Sequence, residues 1–460
     1  MITDPRGIEL TGATKLQAST FEEVVRAYLD YRLSAFPTLK ELCISSPDFA
    51  MAHILKGFLL LSMGITATIP GAKACADHVR KMGQLTRREE LHLKALDSWI
   101  SGDTRKSCAF WDEVLFSEPL DILALKLQHF SLFWLGEANH MRAATSRVVP
   151  HWDQSMYGYA QVLGMYAFAL EECGDYSNAE RLGREAVDRE PQDLWAIHAV
   201  AHVYEMQSNL TAGIKWLNQP LGEWKDRNPF KDHLWWHTAL FALEKGEFQK
   251  VLNLYDEAVW PDDKSFYLDI QNGASLLARL ESFGVDVGDR WNSLGVVSEE
   301  KIGDHVLWFT EPHYTMAMGR TGKQNQISKQ ITSLQKLTNS ASQDTQRTVE
   351  NLAIPVCSAI RDYYRGDYAS TINQLMPIRY SYQPIGGSHA QRDVFNIFLI
   401  DAAIKSKKLD LATSLLSERV ALHPNSFGSW VKYADLLEST GNISRATQAR
   451  SEANRVAMMA

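Results

Sequence analysis

Small and large apolar residues recur along the chain at intervals of 34 positions, and each interval holds two stretches of helical spacing joined by a short turn. The pattern is clearest in the ranges 160–193, 194–227, 232–265 and 427–460. The small residues Ala167, Ala201, Ala239 and Ala434 stand where two helices would touch, and in the first range Gly174 lies in the turn between the two helices. This spacing predicts pairs of antiparallel helices.

The order of small, aromatic and proline positions is that of the tetratricopeptide repeat, and weaker copies occupy 50–83, 88–121 and 352–385. One such hairpin is too small to bury its apolar face, so hairpins stack on one another. We therefore predict an all-α fold, a right-handed superhelix of tetratricopeptide-like hairpins (an α-solenoid) that covers residues 1–460 as one unit. The polar stretch 322–347 breaks the pattern, and we expect an irregular insertion there, a surface helix followed by a mobile loop.

The composition and net charge of the chain limit which binding partners and which cellular location we expect. The chain carries a net charge of −8 without a visible basic stripe, so we expect no nucleic-acid partner. It contains no apolar run of membrane-spanning length and no basic-then-apolar leader, so we expect no membrane association and a cytoplasmic location. The five scattered cysteines favour free thiols in a reducing compartment. The sequence does not indicate an oligomeric state.

Several blocks of the sequence resemble the family of tetratricopeptide repeat protein 38. They are HAVAHVYEMQSN (198–209), HLWWHTALFALEKGEFQKVLNLYD (233–256), EPHYTMAMGRTGK (311–323) and GGSHAQRDVF (386–395). The resemblance implies a cytosolic helical-repeat protein. It implies no settled biochemical activity, so the function has to be argued from the residues.

The helical segment 195–205 places polar side chains on the surface that such repeats use for ligands. His198, His202 and Glu205 are four and three positions apart, so they lie along one helix face. The next copy adds a second row to that surface, formed by His233, Trp236 and His237. Because neighbouring copies place the two rows side by side, we expect at least three of these ionisable groups to share one pocket.

Three interpretations of this cluster are open. The histidines could be buried hydrogen-bonding residues that brace the helix packing. The i, i+4 pair His198 and His202 could instead bind a metal ion, with Glu205 or His237 as a third ligand. In the third interpretation, His198, His202, Glu205 and His237 are catalytic acid/base residues, and His233 and Trp236 contact the ligand.

We favour the third interpretation and expect neither a bound metal nor a cofactor. No Cys or Asp lies at ligand spacing in the helix of His198 and His202. The large indole of Trp236 on the adjacent row is suited to stacking on an organic ligand.

Two further blocks are candidate ligand-binding segments. His313 follows Glu311-Pro312 and is expected in the first turn of a helix. In the Gly-Gly-Ser-His block, Ser388 is expected to cap a helix whose N-terminus favours an anion, with His389 beside it. Arg392 would either clamp a carboxylate or phosphate, or pair with Asp393 to tie the last repeats down.

Together these features predict a helical-repeat protein that binds a small anionic ligand or a peptide terminus in a concave pocket lined by His and Trp, with acid/base catalysis as a possible extension. One alternative is a scaffold that holds a partner protein's peptide in an open groove. Another is a metal-dependent enzyme that uses His198 and His202. The sequence lacks the standard nucleotide, dinucleotide, zinc-protease and serine-hydrolase motifs, so it does not indicate which reaction, if any, is catalysed.

Overall fold

The computed structural model describes residues 2–220, 223–262, 264–339 and 341–458. Within these ranges the chain is helical, with only two isolated β-bridges and no strand. The chain falls into two compact units. Unit 1 comprises Met1–Val200, Trp224–Phe230 and Asp304–Val306, and unit 2 comprises Ala201–Glu223, Lys231–Gly303 and Leu307–Ala460.

Eleven α-helices begin within Met1–Val200 of unit 1, and the last of them ends in unit 2: α1 (Lys15–Leu29), α2 (Ala35–Ser45), α3 (Ala50–Leu61), α4 (Ile69–Val79), α5 (Arg87–Ile100), α6 (Thr104–Ser117), α7 (Ile122–Trp134), α8 (Ala138–Val148), α9 (Tyr159–Glu172), α10 (Tyr176–Arg189) and α11 (Leu194–Met206).

The remaining helices belong to unit 2, apart from the first residue of α13: α12 (Leu210–Trp216), α13 (Phe230–Glu244), α14 (Phe248–Leu254), α15 (Tyr267–Ser282), α16 (Trp291–Glu300), α17 (Thr310–Arg320), α18 (Gln324–Thr338), α19 (Gln343–Thr348), α20 (Ile354–Tyr364), α21 (Tyr368–Leu375), α22 (His389–Lys405), α23 (Leu409–Leu422), α24 (Phe427–Ser439) and α25 (Ile443–Met458). Short 3₁₀ segments lie at Thr66–Thr68, Val149–His151, Met376–Ile378 and Gln383–Ile385, and π-helical turns lie at Tyr255–Val259 and Val349–Ala353.

Consecutive helices pack as hairpins, as the repeat pattern predicts. The strongest pairings are α9 with α10, α24 with α25, and α5 with α6. The small residues expected at helix contacts are fully buried: Ala167, Ala201, Ala239 and Ala434. The predicted all-α fold of tetratricopeptide-like hairpins is therefore confirmed, whereas the extent of the solenoid as one unit stays a prediction.

Close approach explains why some repeat positions hold glycine. A Cβ atom built on Gly213 of α12 would lie 2.3 Å from the ring of Phe241 in α13, far inside van der Waals contact. In the turn between α9 and α10, Gly174 has φ +81°, which L side chains rarely adopt. These glycines therefore set how closely neighbouring helices pack and how sharply the chain reverses.

The polar stretch 322–347 is more regular than expected. Most of it forms α18, whose Ile327, Ile331 and Leu334 are buried, and the start of α19 follows at Gln343. The three apolar residues are spaced four and three apart, enough to anchor one face of a helix. The expected helix is present, but the irregular insertion is limited to a short connection that includes residue 340, which lies outside the described residues.

Two composition-based expectations can be compared with the structure. All five cysteines are free thiols, and four of them are buried. In the part of the chain that the structure describes, no helix combines the length and the apolar character needed to cross a lipid bilayer.

Candidate functional site

Three alternate helices contribute polar side chains to a cluster inside unit 2, which we call the histidine cluster. Its members are His202 and Glu205 of α11, His233, Trp236 and His237 of α13, and Asn272, Ser275 and Arg279 of α15. On each helix the other polar positions lie three, four or seven residues after the first, so they share a face with it. The histidine cluster therefore continues the two rows predicted from the sequence with a third row.

A carboxylate–imidazole contact links α11 to α13. Nδ1 of His237 lies 2.7 Å from Oε2 of Glu205, within strong hydrogen-bond distance. The ring centroids of His202 and His237 are 4.6 Å apart, and both imidazoles are fully buried. The Glu205 side chain keeps 14% exposure, so it is the part of this contact that reaches the surface. Three of the four residues predicted to be catalytic are thus brought together.

A second set of contacts links α13 to α15. Nδ1 of His233 lies 2.8 Å from Oδ1 of Asn272, and Nε1 of Trp236 donates to Oγ of Ser275 at 3.1 Å. The rings of His233 and Trp236 stack with centroids 5.0 Å apart and an interplanar angle of 12°. The indole is therefore held between a histidine and a hydrogen bond to α15, and it forms a wall of the histidine cluster.

Arg279 connects the histidine cluster to the Gly-Gly-Ser-His block of unit 2. Its guanidinium is buried and lies 5.5 Å from the Trp236 ring centroid. It donates to the carbonyl oxygens of Ser275 at 3.2 Å and of Ala390, in the first turn of α22, at 2.8 Å. No carboxylate of the described residues lies within ion-pair distance of this buried guanidinium.

Burial is the main cause of the pKa shifts in the histidine cluster. It raises the pKa of the Glu205 carboxyl to about 7, against the opposing charges of His202 and Arg279. It lowers the pKa values of His233 and His237 well below their ordinary range, and neighbouring histidines lower them further. Burial also lowers the pKa of Arg279. His233 and His237 are therefore neutral at neutral pH, the form that binds metal ions.

The histidines also have the spacing of a metal-ligand set. One ring nitrogen from each of His202, His233 and His237 lies within 4.8 Å of the others. The second nitrogen of two of these rings is already engaged, by Glu205 and by Asn272. An outer shell of this kind orients histidine ligands around an ion.

His198 was predicted to join this set and is described within unit 1. It lies one turn before His202 on α11 and is buried. Its ring stacks on Phe168 at a centroid distance of 5.3 Å and contacts Trp195 and Phe230 at 5.1 and 5.2 Å. Within unit 1, His198 is thus surrounded by aromatic rings. These surroundings are those of the first interpretation, in which a buried histidine braces the helix packing.

The Gly-Gly-Ser-His block forms the predicted helix cap. The Ser388 side chain accepts from the backbone N–H of Gln391 at 3.2 Å, and Gln391 accepts from the Ser388 N–H at 2.9 Å. This is a capping box, which satisfies two N-terminal donors of α22. His389 is the first residue of this helix and is half-buried.

Arg392 and Asp393 do not pair with each other. The Arg392 guanidinium donates to the carbonyl oxygens of Gly386 and Gly387, which closes the loop before α22. Asp393 accepts instead from Arg419 of α23 at 2.7 Å. Although burial alone would raise it, the pKa of Asp393 is held below its ordinary value by the charges of Arg419 and His423. The Arg392–Asp393 pair, one of the two alternatives for Arg392, is therefore wrong, because α23 supplies a better-placed partner for Asp393.

His313 is a core residue of unit 2. It is buried in the first turns of α17, its Nδ1 lies 2.8 Å from the carbonyl oxygen of Phe309, and its ring contacts Phe309 and Phe395. Burial lowers its pKa to about 3. The charge of Arg279 acts in the same direction, so Arg279 lies near this histidine as well as near His237.

Sequence reasoning missed the third row of the histidine cluster. No repeat was recognised between residues 266 and 351, so Asn272, Ser275 and Arg279 were not assigned to a ligand-facing position. The available signal was their spacing of three and four residues along one face of the helix. Applying the same row argument to each following helix would have identified them.

Comparison with known proteins adds little to this geometry. No protein-family model matches the chain. It aligns over 98% of its length with human IFIT1 in a dimer with m7Gppp-AAAA, covering 96% of that chain at 13% identity and a TM-score of 0.43. An IFIT1 dimer with PPP-AAAA aligns over 98% of this chain and 96% of that one at 12% identity and a TM-score of 0.42. A structure of Naa15/Naa10 bound to HypK-THB covers 95% of this chain and 68% of that one at 12% identity and a TM-score of 0.25. These likenesses concern the helical-repeat fold, and the scores are too low to carry a residue role across.

One expectation is nevertheless corrected by these structures. The missing basic stripe was taken to exclude a nucleic-acid partner, but the aligned IFIT1 chains are held with capped and triphosphate RNA. The exclusion of nucleic acid is therefore wrong. The resemblance to the tetratricopeptide repeat protein 38 family stays a prediction, while the repeat type is supported by the helical hairpins themselves.

Proposed function

We propose that unit 2 binds a small anionic ligand at the histidine cluster, next to Arg279. The observation that carries this proposal is the buried guanidinium of Arg279, whose protein partners are two backbone carbonyl oxygens. A buried cation is costly unless its charge is balanced and its N–H groups are bonded. An anion would provide both, and an arginine presents paired donors that match a carboxylate or a phosphate.

In the same unit, the charge of another buried arginine is neutralised by a carboxylate. Arg419 is also buried, and it bonds the Asp393 carboxylate at 2.7 Å and the Ser429 hydroxyl at 3.0 Å. Asp393 and Glu205 both act on Arg279 through their charges, but each bonds a different group, Arg419 in one case and His237 in the other. Arg279, in contrast to Arg419, bonds two backbone carbonyl oxygens and no carboxylate of the described residues.

Burial limits the size of the ligand. His202, His237 and Trp236 are almost completely enclosed, and Glu205 is the partly exposed edge. A guest of a few non-hydrogen atoms, such as phosphate or a short carboxylate, fits this enclosure better than a peptide. The peptide-scaffold alternative has no comparable observation in its favour. Acid/base catalysis by His198, His202, Glu205 and His237 stays a prediction from the sequence.

Calorimetric titration of the full-length protein with inorganic phosphate and with succinate tests the proposal. We expect saturable binding of at least one of them, with one site per chain. Arg279→Gln should weaken it at least tenfold, and Arg279→Lys, which keeps the charge but loses the paired donors, should weaken it less. The matched control is Arg320→Gln on α17, an exposed arginine that pairs with Glu281 at 2.7 Å, and it should bind like the wild type.

Failure to bind either anion would contradict the proposal, as would equal affinity in the wild type and in Arg279→Gln. The wild-type titration decides the first point even if the Gln variant does not fold. Circular dichroism of each variant, compared with the wild type, decides whether a loss of binding is specific to the site.

A further inference from the structure

We propose that the imidazoles of His202, His233 and His237 together bind one zinc ion. The proposal rests on the proposed function, because the ion would be the group beside Arg279 that receives the anionic atom of the ligand. It replaces the sequence-based expectation of a metal-free site. That expectation rested on the lack of Cys or Asp at ligand spacing in the helix of His198 and His202, whereas the structure combines the i, i+4 pair His233 and His237 of α13 with His202 of α11.

The distances between the histidine ring nitrogens suit an ion with tetrahedral coordination. In such a site, two histidine nitrogens are about 3.4 Å apart, since each lies about 2.1 Å from the ion. One ring nitrogen from each of the three histidines already lies within 4.8 Å of the others. A small rotation of each ring closes the remaining difference without moving a helix.

Hydrogen bonds orient two of the three rings for metal binding. The Asn272 side-chain oxygen can only accept, so Nδ1 of His233 donates to it at 2.8 Å. Nδ1 of His237 likewise donates to the Glu205 carboxylate at 2.7 Å. Each ring then carries its lone pair on Nε2, the atom that would bind the ion. A carboxylate or amide on the far nitrogen of a histidine ligand is the usual outer-shell arrangement in zinc sites.

The type of donor selects the class of metal. Three neutral nitrogen ligands favour zinc and its transition-metal neighbours over calcium or magnesium, which prefer oxygen. Three protein ligands also leave one position of a tetrahedral ion for water or an anion, as in catalytic rather than structural zinc sites. The nearby Arg279 guanidinium would bind the other end of that anion.

Metal analysis of the full-length protein tests the proposal without any anion. Protein purified without chelators is dialysed against excess zinc and then against metal-free buffer, and its zinc is measured by plasma mass spectrometry. We expect one equivalent per chain, removed by a strong chelator. Replacing zinc with cobalt should produce the intense visible absorption of a tetrahedral cobalt site.

Variants identify the ligands. His237→Ala and His233→Ala should each lose the bound ion, and Glu205→Gln should weaken zinc affinity about 10- to 100-fold because it removes the charge of the outer-shell carboxylate. The matched control is His140→Ala of unit 1. His140 also lies 2.7 Å from a carboxylate, that of Asp112, but it stands outside the histidine cluster, and its loss should leave zinc content unchanged.

The outcomes separate this proposal from the previous one. Zinc binding without phosphate or succinate binding would support the metal site and contradict the proposed function. Anion binding to wild-type protein that takes up no zinc at micromolar concentration would support the function and overturn the metal site. Full zinc content in folded His237→Ala would also overturn it. The wild-type cobalt spectrum keeps the test decisive if the alanine variants do not fold.

Discussion

Two buried histidine–carboxylate contacts, one in each unit, differ in what else binds the carboxylate. In unit 1, Asp121 lies 2.8 Å from Nε2 of His92 and also accepts from Nε of Arg88 at 2.5 Å. It caps α7 as well, through the backbone N–H groups of Leu123 and Ala124. In unit 2, Glu205 has a hydrogen bond only from His237 among the described residues.

The directions in which the pKa values of these two carboxyl groups shift follow from their partners. Burial alone would raise the pKa of Asp121, but the charges of Arg88 and His92 lower it below its ordinary range. No cation bonds Glu205, so burial prevails and raises its pKa to about 7. The contact in unit 1 is thus a closed ion-pair network that stabilises the hairpin packing. The contact in unit 2 lies beside two further histidines and Arg279, where we propose that a ligand binds.

The largest expected effect is a difference in how much the carboxylates of the two contacts contribute to the free energy of unfolding. Asp121→Asn keeps the size and the helix cap but removes the carboxylate charge that is hydrogen-bonded to the buried Arg88. It should lower the free energy of unfolding by about 3–5 kcal/mol. Glu205→Gln at pH 4.5 should change it by less than about 1 kcal/mol, since Glu205 is then protonated in the folded protein and the amide resembles the protonated acid. Urea denaturation of both variants measures this, and similar losses would remove the distinction.

The pH dependence should have opposite signs in the two contacts. In chelator-treated protein, the folded-state pKa of Glu205 is about 7, against 4.5 for the ordinary group. Its contribution to stability is therefore full below pH 4.5 and is lost as the pH rises through 7, about 3 kcal/mol in total. Relative to the wild type, Glu205→Gln should gain stability over that window.

Asp121 provides the reverse case. Its folded pKa lies below the ordinary value, so its contribution is full above pH 3.8 and is lost as the pH falls through the folded pKa. The gap between the wild type and Asp121→Asn should stay constant from pH 8 to pH 5 and close in stronger acid. Thermal unfolding across this pH series checks both signs, and parallel pH profiles for the two variants would contradict the account.

A smaller effect is expected at the outer edge of the histidine cluster. Asn272→Ala removes the acceptor from Nδ1 of His233, whose ring is buried. Leaving a buried donor unsatisfied should cost about 1–3 kcal/mol of unfolding free energy. Asn272→Asp should retain most of that stability by keeping an acceptor in place. Equal losses for Ala and Asp would show that the hydrogen bond does not hold the ring.

The smallest loss of stability is expected at a partly exposed contact of unit 1. His140 and Asp112 of unit 1 form a partly exposed contact at 2.7 Å, and Asp112 keeps Arg147 as a second partner. His140→Ala should therefore cost no more than about 1 kcal/mol. A loss as large as that of Asp121→Asn would show that burial and the number of partners do not decide what these contacts contribute.

The repeat pattern predicted the fold down to particular residues. Ala201 and Ala239 were expected at helix contacts and are fully buried, because helix packing depends on local size and spacing that one repeat displays. The first two polar rows followed from the same spacing. His198 shows the limit of that argument, since its unit 1 surroundings are the rings of Phe168, Trp195 and Phe230, which the row alone could not reveal.

The sequence pattern could not predict which residues pair when they are far apart along the chain. Asp393 pairs with Arg419, 26 positions away, rather than with its neighbour Arg392. Arg279 reaches Ala390 across 111 positions. Such pairings depend on how hairpins stack in space, and no periodicity along the chain encodes them. The same limit explains why the metal site considered from the sequence was built on His198 and His202, with Glu205 or His237 as a third ligand, and did not include His233.

Hydrogen exchange of the full-length protein, with and without zinc and phosphate, tests most directly whether only the unit 2 contact is a binding site. The account predicts slower exchange of the unit 2 amides in α11, α13 and α15 when both are added. It predicts no change in α5 and α7, which hold the closed Arg88–His92–Asp121 network of unit 1. His237→Ala should abolish the difference. Unchanged exchange in α13 and α15, or equal protection in α5 and α7, would contradict it.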